Sequence, residues 1–142
     1  MKRFNKWNFP EFDEDGYAFT KISEKKIKKY GWSCFFPENL VLGDKCDIGR
    51  NSLIQAKYGV EIGKNSELGP FCYVCSWSTI DDKKGKVIIK DKAKIGAHST
   101  IMPGVTIGKN SVIGAYSLVN IDIPDNVLAF GIPVKVIMKR KK

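Results

Sequence analysis

The only histidine of the chain, His98, lies in the run IGAHSTIMPGVTIGKNSVIGAYSLV, residues 95–119. An imidazole with a pKa near 6.5 can accept and return a proton at neutral pH, so His98 is the residue best suited to general acid–base chemistry. The four cysteines include one CxxC pair, Cys72 and Cys75. A structural zinc site needs a second pair of ligands, which this sequence lacks, so a metal or redox role for the pair is disfavoured.

The segment around His98 repeats with a period of six residues, which neither a helix (about 3.6) nor a strand (2) produces. A branched aliphatic residue starts each repeat, glycine often follows it, and a small residue stands four places after it. The aliphatic series is Leu42, Ile48, Ile54, Ile62, Leu68, Val74, Ile80, Ile89, Ile95, Ile101, Ile107, Ile113 and Val119. The small positions are Cys46, Ser52, Ser66, Cys72, Ser78, Ser99, Val105, Ser111 and Ser117, which explains two cysteines as small buried residues.

Hexapeptide repeats are typical of a parallel β-helix, in which three short strands form each coil and the coils stack about 4.8 Å apart. We therefore predict an all-β fold with the aliphatic residues inside and glycine at corners that have little room for a side chain. Two irregular steps, from Ile54 to Ile62 and from Ile80 to Ile89, predict loops. The second contains the charged turn DDKKG and must project outward, where functional residues are often found.

The length of 142 residues is typical of one domain. We predict a short N-terminal cap over residues 1–40, with a strand at about 17–22 and a brief helix in SEKKIKKYG, then the β-helix over 41–123 and a loop with a basic tail over 124–142. No apolar run approaches the ~20 residues that span a bilayer, and no signal peptide is evident, so we expect a cytoplasmic location without a membrane span.

The formal net charge of +9 favours an anionic partner. Nucleic-acid readers usually interleave basic and aromatic residues on one surface. Here the densest basic runs, 25–29 and 139–142, flank the repeat. We expect no nucleic-acid partner, and the tail is either a solvated segment or a phosphate-binding one.

The sequence IGAHSTIMPGVTIGKNSVIGAYSLVNIDIPDN, followed by LAFGIPVKVI, closely resembles the terminal signature of hexapeptide-repeat acyltransferases, and the resemblance covers residues 41–138. It implies a left-handed parallel β-helix and a homotrimer that binds acetyl-CoA, as co-substrate and without a metal, between neighbouring subunits. The implied activity is acetyl transfer to an amine or hydroxyl of a sugar, nucleotide-linked or part of a glycan precursor. The alternative is a catalytically inactive scaffold or binding module.

The resemblance also implies roles for individual residues. Cofactor-binding positions match Ala97, Ala115 and Asn120 along the pantetheine arm, Gly131 and Pro133 near the adenine, and Lys135 and Lys139 near the phosphates, with Arg140 as an addition. Lys135 alone could equally be a solvent-facing lysine.

One departure from the family concerns its catalytic histidine, which sits in an outward loop that corresponds to residues 75–82 here. That loop has no histidine. His98 is then a catalytic base or substrate orienter, a subunit-interface residue, or an exposed residue without a role. The substrate-binding candidates are Ser76, Trp77, Asp81 and Asp82, although Trp77 could instead pack between subunits and the aspartates could form a solvated turn.

Overall fold

The structure is a computed structural model that describes residues 31–141. The strand predicted at 17–22 and nearly all of the helix predicted in SEKKIKKYG lie outside these residues. The described chain forms short strands and one 3-10 turn at Pro37–Asn39. The strands are β1 (Ser33–Phe35), β2 (Leu40–Leu42), β3 (Asp47–Ile48), β4 (Leu53–Gln55), β5 (Val60–Ile62), β6 (Glu67–Leu68), β7 (Tyr73–Cys75), β8 (Trp77–Ser78), β9 (Lys83–Lys84), β10 (Val87–Ile89), β11 (Lys94–Ile95), β12 (Thr100–Ile101), β13 (Thr106–Ile107), β14 (Val112–Ile113), β15 (Leu118–Val119), β16 (Val127–Phe130) and β17 (Lys135–Lys139).

These strands stack into three faces of a column. The first face has the order β1-β4-β7-β12-β15, the second β2-β5-β10-β13, and the third β3-β6-β11-β14-β16-β17. Pairing within the faces is parallel, except that β17 runs antiparallel to β16. The chain passes from the first face to the second and the third, and then starts the next coil, so the described residues form the predicted parallel β-helix.

The core is the column of aliphatic side chains that the six-residue period predicted. Ile54 pairs with Val74, and Ile62 with Ile89, so equivalent residues of successive coils lie above one another. The fully buried side chains include Ile54, Ile62, Val74, Ile89, Ile101, Ile107, Ile113 and Val119. Burying each such side chain contributes roughly 1.5–3 kcal/mol before the entropy of ordering the chain is subtracted.

Most of the small residues four places later are buried, whereas Cys46 is only half-buried. Their side chains donate hydrogen bonds to backbone carbonyls of the next coil: Ser52 Oγ to Gly69 O at 3.1 Å and Ser99 Oγ to Gly114 O at 3.2 Å. Cys72 Sγ makes the equivalent contact with Gly96 O at 3.3 Å. The predicted placement of Cys72 at a small buried position is confirmed.

The prediction of inward positions for Ile80 and Ser78 is wrong. Ile80 is 95% exposed. The chain goes from Val74 on the first face to Ile89 on the second in a single step of fifteen residues, and no inward strand position lies at Ile80 between them. The extra residues form an antiparallel hairpin in which β8 pairs with β9, and Ile80 lies in the turn that joins them.

The stacked register also begins one strand earlier than the sequence pattern indicated. Cys34 of β1 pairs with Ile54 and is fully buried, although it falls within the segment interpreted as a cap. A cysteine at an inward position does not stand out in a search for Ile, Leu and Val.

The three corners of the column differ in how much chain they hold. The steps from the second face to the third and from the third to the first are six residues in every coil, as in Ile62–Leu68–Val74. At both corners a glycine follows the aliphatic residue in most coils, Ile89–Lys90 being an exception, and it has no room for a Cβ: one built on Gly69 would lie 2.6 Å from Ala97 N. The steps from the first face to the second vary, as in Ile54–Ile62 (eight), Val74–Ile89 (fifteen) and Ile101–Ile107 (six). We call this third, variable corner the hairpin corner.

Candidate functional site

The outer surface of the first face lies between two corners that carry most of the predicted site residues. One is the hairpin corner, and the other is the corner between the third and first faces, which we call the aromatic corner after Phe71, His98 and Tyr116. The chain crosses the face from His98 to Met102 in four residues, or about 13 Å at ~3.3 Å per residue. Both corners therefore border one surface, which we call the candidate cleft.

The aromatic corner is a column of three stacked rings. The His98 ring lies 4.8 Å from that of Phe71, with an interplanar angle of 3°, and 4.7 Å from that of Tyr116, with an angle of 7°. The three residues occupy the same position in successive coils, so the coil spacing sets the ring separation. All three have left-handed backbone, with φ between 58° and 59°.

This stacking determines which part of His98 is open to a ligand. Both faces of the imidazole are covered, so the edge that carries the ring nitrogens remains for proton transfer or hydrogen bonding. The backbone is satisfied, since His98 N donates to Pro70 O at 3.0 Å and Tyr116 N to Ala97 O at 2.9 Å. His98 is thus held in one orientation on the border of the candidate cleft.

The predicted cofactor-binding residues are only partly brought together. Ala97, Ala115 and Gly131 lie at the aromatic corner, where Gly131 N donates to Ser117 Oγ at 3.1 Å. Pro133 follows Gly131 through a cis Ile132–Pro133 bond. Asn120 is exposed at the other side of the candidate cleft, directly after β15.

The basic residues of the C-terminal strand lie farther apart than the sequence indicated. Lys135 begins β17 next to Val134, whose N donates to Leu118 O of the first face at 2.9 Å, so Lys135 stays near the aromatic corner. Lys139 ends β17 opposite Val127, at the far end of the third face. Arg140 Nη1 donates to Asn110 O at 2.7 Å, so this guanidinium holds the tail against the column.

The hairpin at the opposite side of the cleft is fixed to the column by Trp77. The ring is only 8% exposed, packs edge-on against Tyr58 at 6.2 Å, and has Lys57 Nζ 3.8 Å above its centroid. Trp77 Nε1 donates to Asp82 Oδ1 at 3.1 Å. Trp77 does not belong to the aliphatic column, but it is buried under the hairpin, so within this chain it is packed and is not the outward-pointing stacking platform that its position predicted.

The two hairpin aspartates are exposed and engaged within the turn. The hydrogen bond from Trp77 and the neighbouring Lys84 hold the pKa of Asp82 below its ordinary value. Hydrogen bonds from Ser78 and from the Lys83 backbone do the same for the pKa of Asp81. Both carboxylates remain charged at neutral pH and could accept hydrogen bonds from a polar ligand.

Ser76 lies beneath the hairpin and is fully buried. Its Oγ donates to Gln55 Oε1 at 3.1 Å and accepts from Tyr58 N at 3.0 Å. This network links the two long loops of the hairpin corner. Gln55, Lys57 and Tyr58 were missed by the sequence analysis, because no periodic position indicates what a projecting hairpin will cover.

The cysteines are free thiols in the described structure. Burial raises the pKa of the Cys34 thiol to about 12, and burial likewise raises that of Cys72. Within residues 31–141 no three His, Cys, Asp or Glu side chains are grouped so that they could hold a metal ion. Over the same residues no helix is long and apolar enough to cross a membrane.

Parts of this chain are similar in sequence to hexapeptide-repeat transferases. The bacterial transferase hexapeptide repeat matches residues 86–120, and the hexapeptide repeat of succinyl-transferase matches residues 39–69. A galactoside O-acetyltransferase of Lactococcus lactis is 61% identical over 56 residues, which is 39% of this chain and 26% of that protein.

Two solved structures share the fold. A maltose O-acetyltransferase of Clostridium difficile is 32% identical, with a TM-score of 0.74 over 79% of this chain and 65% of its own. A hexapeptide-repeat acetyltransferase of Vibrio cholerae, complexed with acetyl-CoA, is 28% identical, with a TM-score of 0.74 over 78% of this chain and 66% of its own. The chain spans less than two thirds of the length of each of these three proteins. The left-handed β-helix implied by the resemblance is confirmed, and the chain is similar in sequence and fold to these hexapeptide-repeat acetyltransferases.

Proposed function

We propose that this protein is an acetyl-CoA-dependent acetyltransferase that acts on a hydroxyl or an amine of a sugar. The observation that carries the proposal is the candidate cleft, whose aromatic corner holds the signature residues Ala97, His98, Ala115 and Gly131 and whose opposite side is formed by a projecting hairpin. The relatives named as galactoside and maltose O-acetyltransferases support a sugar acceptor, and the acetyl-CoA complex of the Vibrio cholerae protein supports the donor.

In this reaction the acceptor oxygen or nitrogen attacks the thioester carbonyl of acetyl-CoA. The new C–O or C–N bond forms, the C–S bond breaks, and the acceptor's proton finally resides on the CoA thiol. A hydroxyl needs a base to remove that proton, and the open nitrogen edge of His98 can serve. An amine in its neutral form needs no such base. His98 then orients the acceptor through a hydrogen bond.

The positive charge of the chain matches the anionic donor. Lys135 lies beside the aromatic corner and is exposed, so its ammonium group can meet a phosphate of CoA as a point charge. We place the pantetheine arm along the backbone of Ala97 and Ala115. A homotrimer would complete this arrangement, with the cleft of one subunit closed by its neighbour. A nucleotide-linked or glycan-precursor sugar is the acceptor we propose.

The donor is tested first by thermal unfolding with acetyl-CoA. A ligand that binds only the native state raises Tm, and at a hundred times its Kd it adds about 2.7 kcal/mol to stability. Lys135→Gln should reduce the shift, whereas Lys92→Asn, a matched loss of charge at an exposed residue with left-handed backbone on another corner, should not. No shift with millimolar acetyl-CoA would favour the alternative, a catalytically inactive β-helix scaffold or binding module.

The role of His98 is tested by His98→Asn with a panel of sugar hydroxyl and amine acceptors. Asparagine tolerates the left-handed backbone of this position, as Asn65 and Asn110 do at another corner. We expect a rate loss on the order of 100-fold or more for a hydroxyl acceptor. An unchanged rate would remove His98 as the base and favour an amine acceptor.

A further inference from the structure

A cavity of about 230 Å³ opens on the floor of the candidate cleft, beneath the hairpin. Its walls come from four coils and from the hairpin, and include Phe35, Gln55, Tyr73, Trp77, Ile80 and Met102. No charged side chain lines it. The cavity is therefore suited to a neutral group with an apolar surface, and not to a phosphate.

Gln55 is one of the residues that line the cavity, and it carries an unused hydrogen-bond donor. The residue is only 3% exposed, and its Oε1 accepts from Lys57 N at 3.0 Å and from Ser76 Oγ at 3.1 Å. These two bonds fix the amide orientation, because exchanging oxygen and nitrogen would place the Lys57 N–H against an NH₂ group. Nε2 has no partner, and it is the one buried side-chain nitrogen or oxygen in residues 31–141 of which this is true.

A buried donor without a partner is costly, so such atoms in native proteins call for an explanation. Here the amide oxygen is committed to the loops of the hairpin corner, which leaves Nε2 as the polar group that Gln55 can offer the cavity. Only an acceptor atom can satisfy it. An oxygen of a bound molecule fits this requirement.

We propose that the cavity is the acceptor subsite and that Gln55 Nε2 donates a hydrogen bond to a ring oxygen or hydroxyl of a neutral sugar. This inference rests on the proposed function and deepens it by assigning the specificity-determining residue. The volume is below the ~300–1,000 Å³ of pockets for larger ligands, so it accommodates a single ring. The lining side chains of Phe35, Ile80 and Met102 give the cavity an apolar wall, and any charged nucleotide portion must lie outside.

The test compares the full-length chain with Gln55→Glu at neutral pH. Glutamate keeps an oxygen that can accept from Lys57 N and Ser76 Oγ, but ionised it has no donor for a ligand. The probes are methyl β-D-galactopyranoside and its monodeoxy analogues, with Kd measured by ligand-observed NMR and kcat/KM measured with acetyl-CoA. The matched control is Asn65→Asp, an amide-to-carboxylate change at an exposed residue away from the cleft.

We expect Gln55→Glu to weaken glycoside binding about tenfold or more and to raise the acceptor KM, while the thermal shift with acetyl-CoA stays the same. The control variant Asn65→Asp should bind the glycoside as the wild type does. One deoxy analogue lacks the oxygen that Gln55 contacts. Its Kd should be nearly the same for Gln55→Glu and the wild type, because the acceptor of the hydrogen bond is already absent. Unchanged glycoside affinity, or an equal loss for every analogue, would overturn the assignment.

A second variant keeps the assignment testable if Gln55→Glu does not fold. Met102→Phe narrows the cavity from the next coil without touching the Gln55 network, and it should abolish glycoside binding while the acetyl-CoA thermal shift persists. If the wild type acetylates a sugar and both variants bind glycosides normally, this inference fails and the proposed function stands. If binding depends on Gln55 but no acetyl group is transferred, the subsite stands and the proposed function fails.

Discussion

Replacing Gly69 by alanine tests the claim that two corners of the column are closed by direct backbone contact. The added Cβ would lie 2.6 Å from Ala97 N and 2.9 Å from Ala97 Cα, whereas carbon atoms in contact are normally about 3.5–4.0 Å apart. Two coils must separate locally, while Gly69 N is bonded to Ile95 O at 2.8 Å. Overpacking of this kind costs about 1–3 kcal/mol.

Alanine also reduces the entropy of the unfolded chain, which offsets about 0.4–1 kcal/mol of that cost. At the middle of both ranges the net loss is about 1.3 kcal/mol, which lowers Tm by about 3–5 °C for a chain of this size. Thermal unfolding followed by circular dichroism measures it, at a fixed protein concentration because assembly would make Tm depend on concentration.

Gly104 provides the matched control, because glycine is favoured there by the backbone conformation and not by a lack of space. A Cβ there would meet no atom within 4 Å, but φ is +80°. Asparagine tolerates left-handed backbone, so Gly104→Asn should leave Tm nearly unchanged. At Gly69, asparagine should lower Tm at least as much as alanine does. If Gly69→Ala melts no lower than the wild type, or if Gly69→Asn restores its Tm, the contact explanation is refuted.

Three further predictions follow from the column and the hairpin. Ser111→Leu places a large side chain at a fully buried small position and should cost about 1–3 kcal/mol, so an unchanged Tm would contradict the inward assignment. The Cys34 thiol, whose pKa burial raises to about 12, should resist alkylation at pH 8 in the native protein and react once it is unfolded, as mass spectrometry would show. The pKa of Asp82 is lowered in the folded chain, so its bond to Trp77 is fully present above the ordinary value of 3.8 and is lost as pH falls through the lowered one. The indole N–H signal of Trp77 in NMR should shift in that acidic range. In Asp82→Asn it should not titrate there, and an identical titration would exclude Asp82 as the cause.

The fold could be predicted because inward positions of a parallel β-helix recur at a fixed interval and must be apolar. Ile80 satisfied the interval by coincidence, and only the pairing of Val87 with Val60 shows that it belongs to a projecting loop. Cys34 could have been found, since it precedes Ile54 by the same twenty residues that separate Ile54 from Val74.

The site was less predictable than the fold because its residues acquire their surroundings from other coils. The aromatic column is formed by Phe71, His98 and Tyr116, which share one position of the repeat but are 27 and 18 residues apart, so only the stacking of the coils shows that their rings meet. The burial of Gln55 depends on where the hairpin folds back, which residue types alone do not specify. The signature residues at the aromatic corner were placed by resemblance, and the structure supplies their common surface.

The unequal corners of the column bear on how such a protein could be diversified. At the other two corners the step is six residues in every coil, and in most coils a glycine there lies against the backbone of the next coil, so an insertion would separate the coils. At the hairpin corner the spacing already ranges from four residues (Val119–Ile123) to fifteen (Val74–Ile89) while the stacking on both sides is kept. New peptide segments grafted at that one edge should leave the scaffold intact, and under the proposed function this edge is the place to engineer a different acceptor preference.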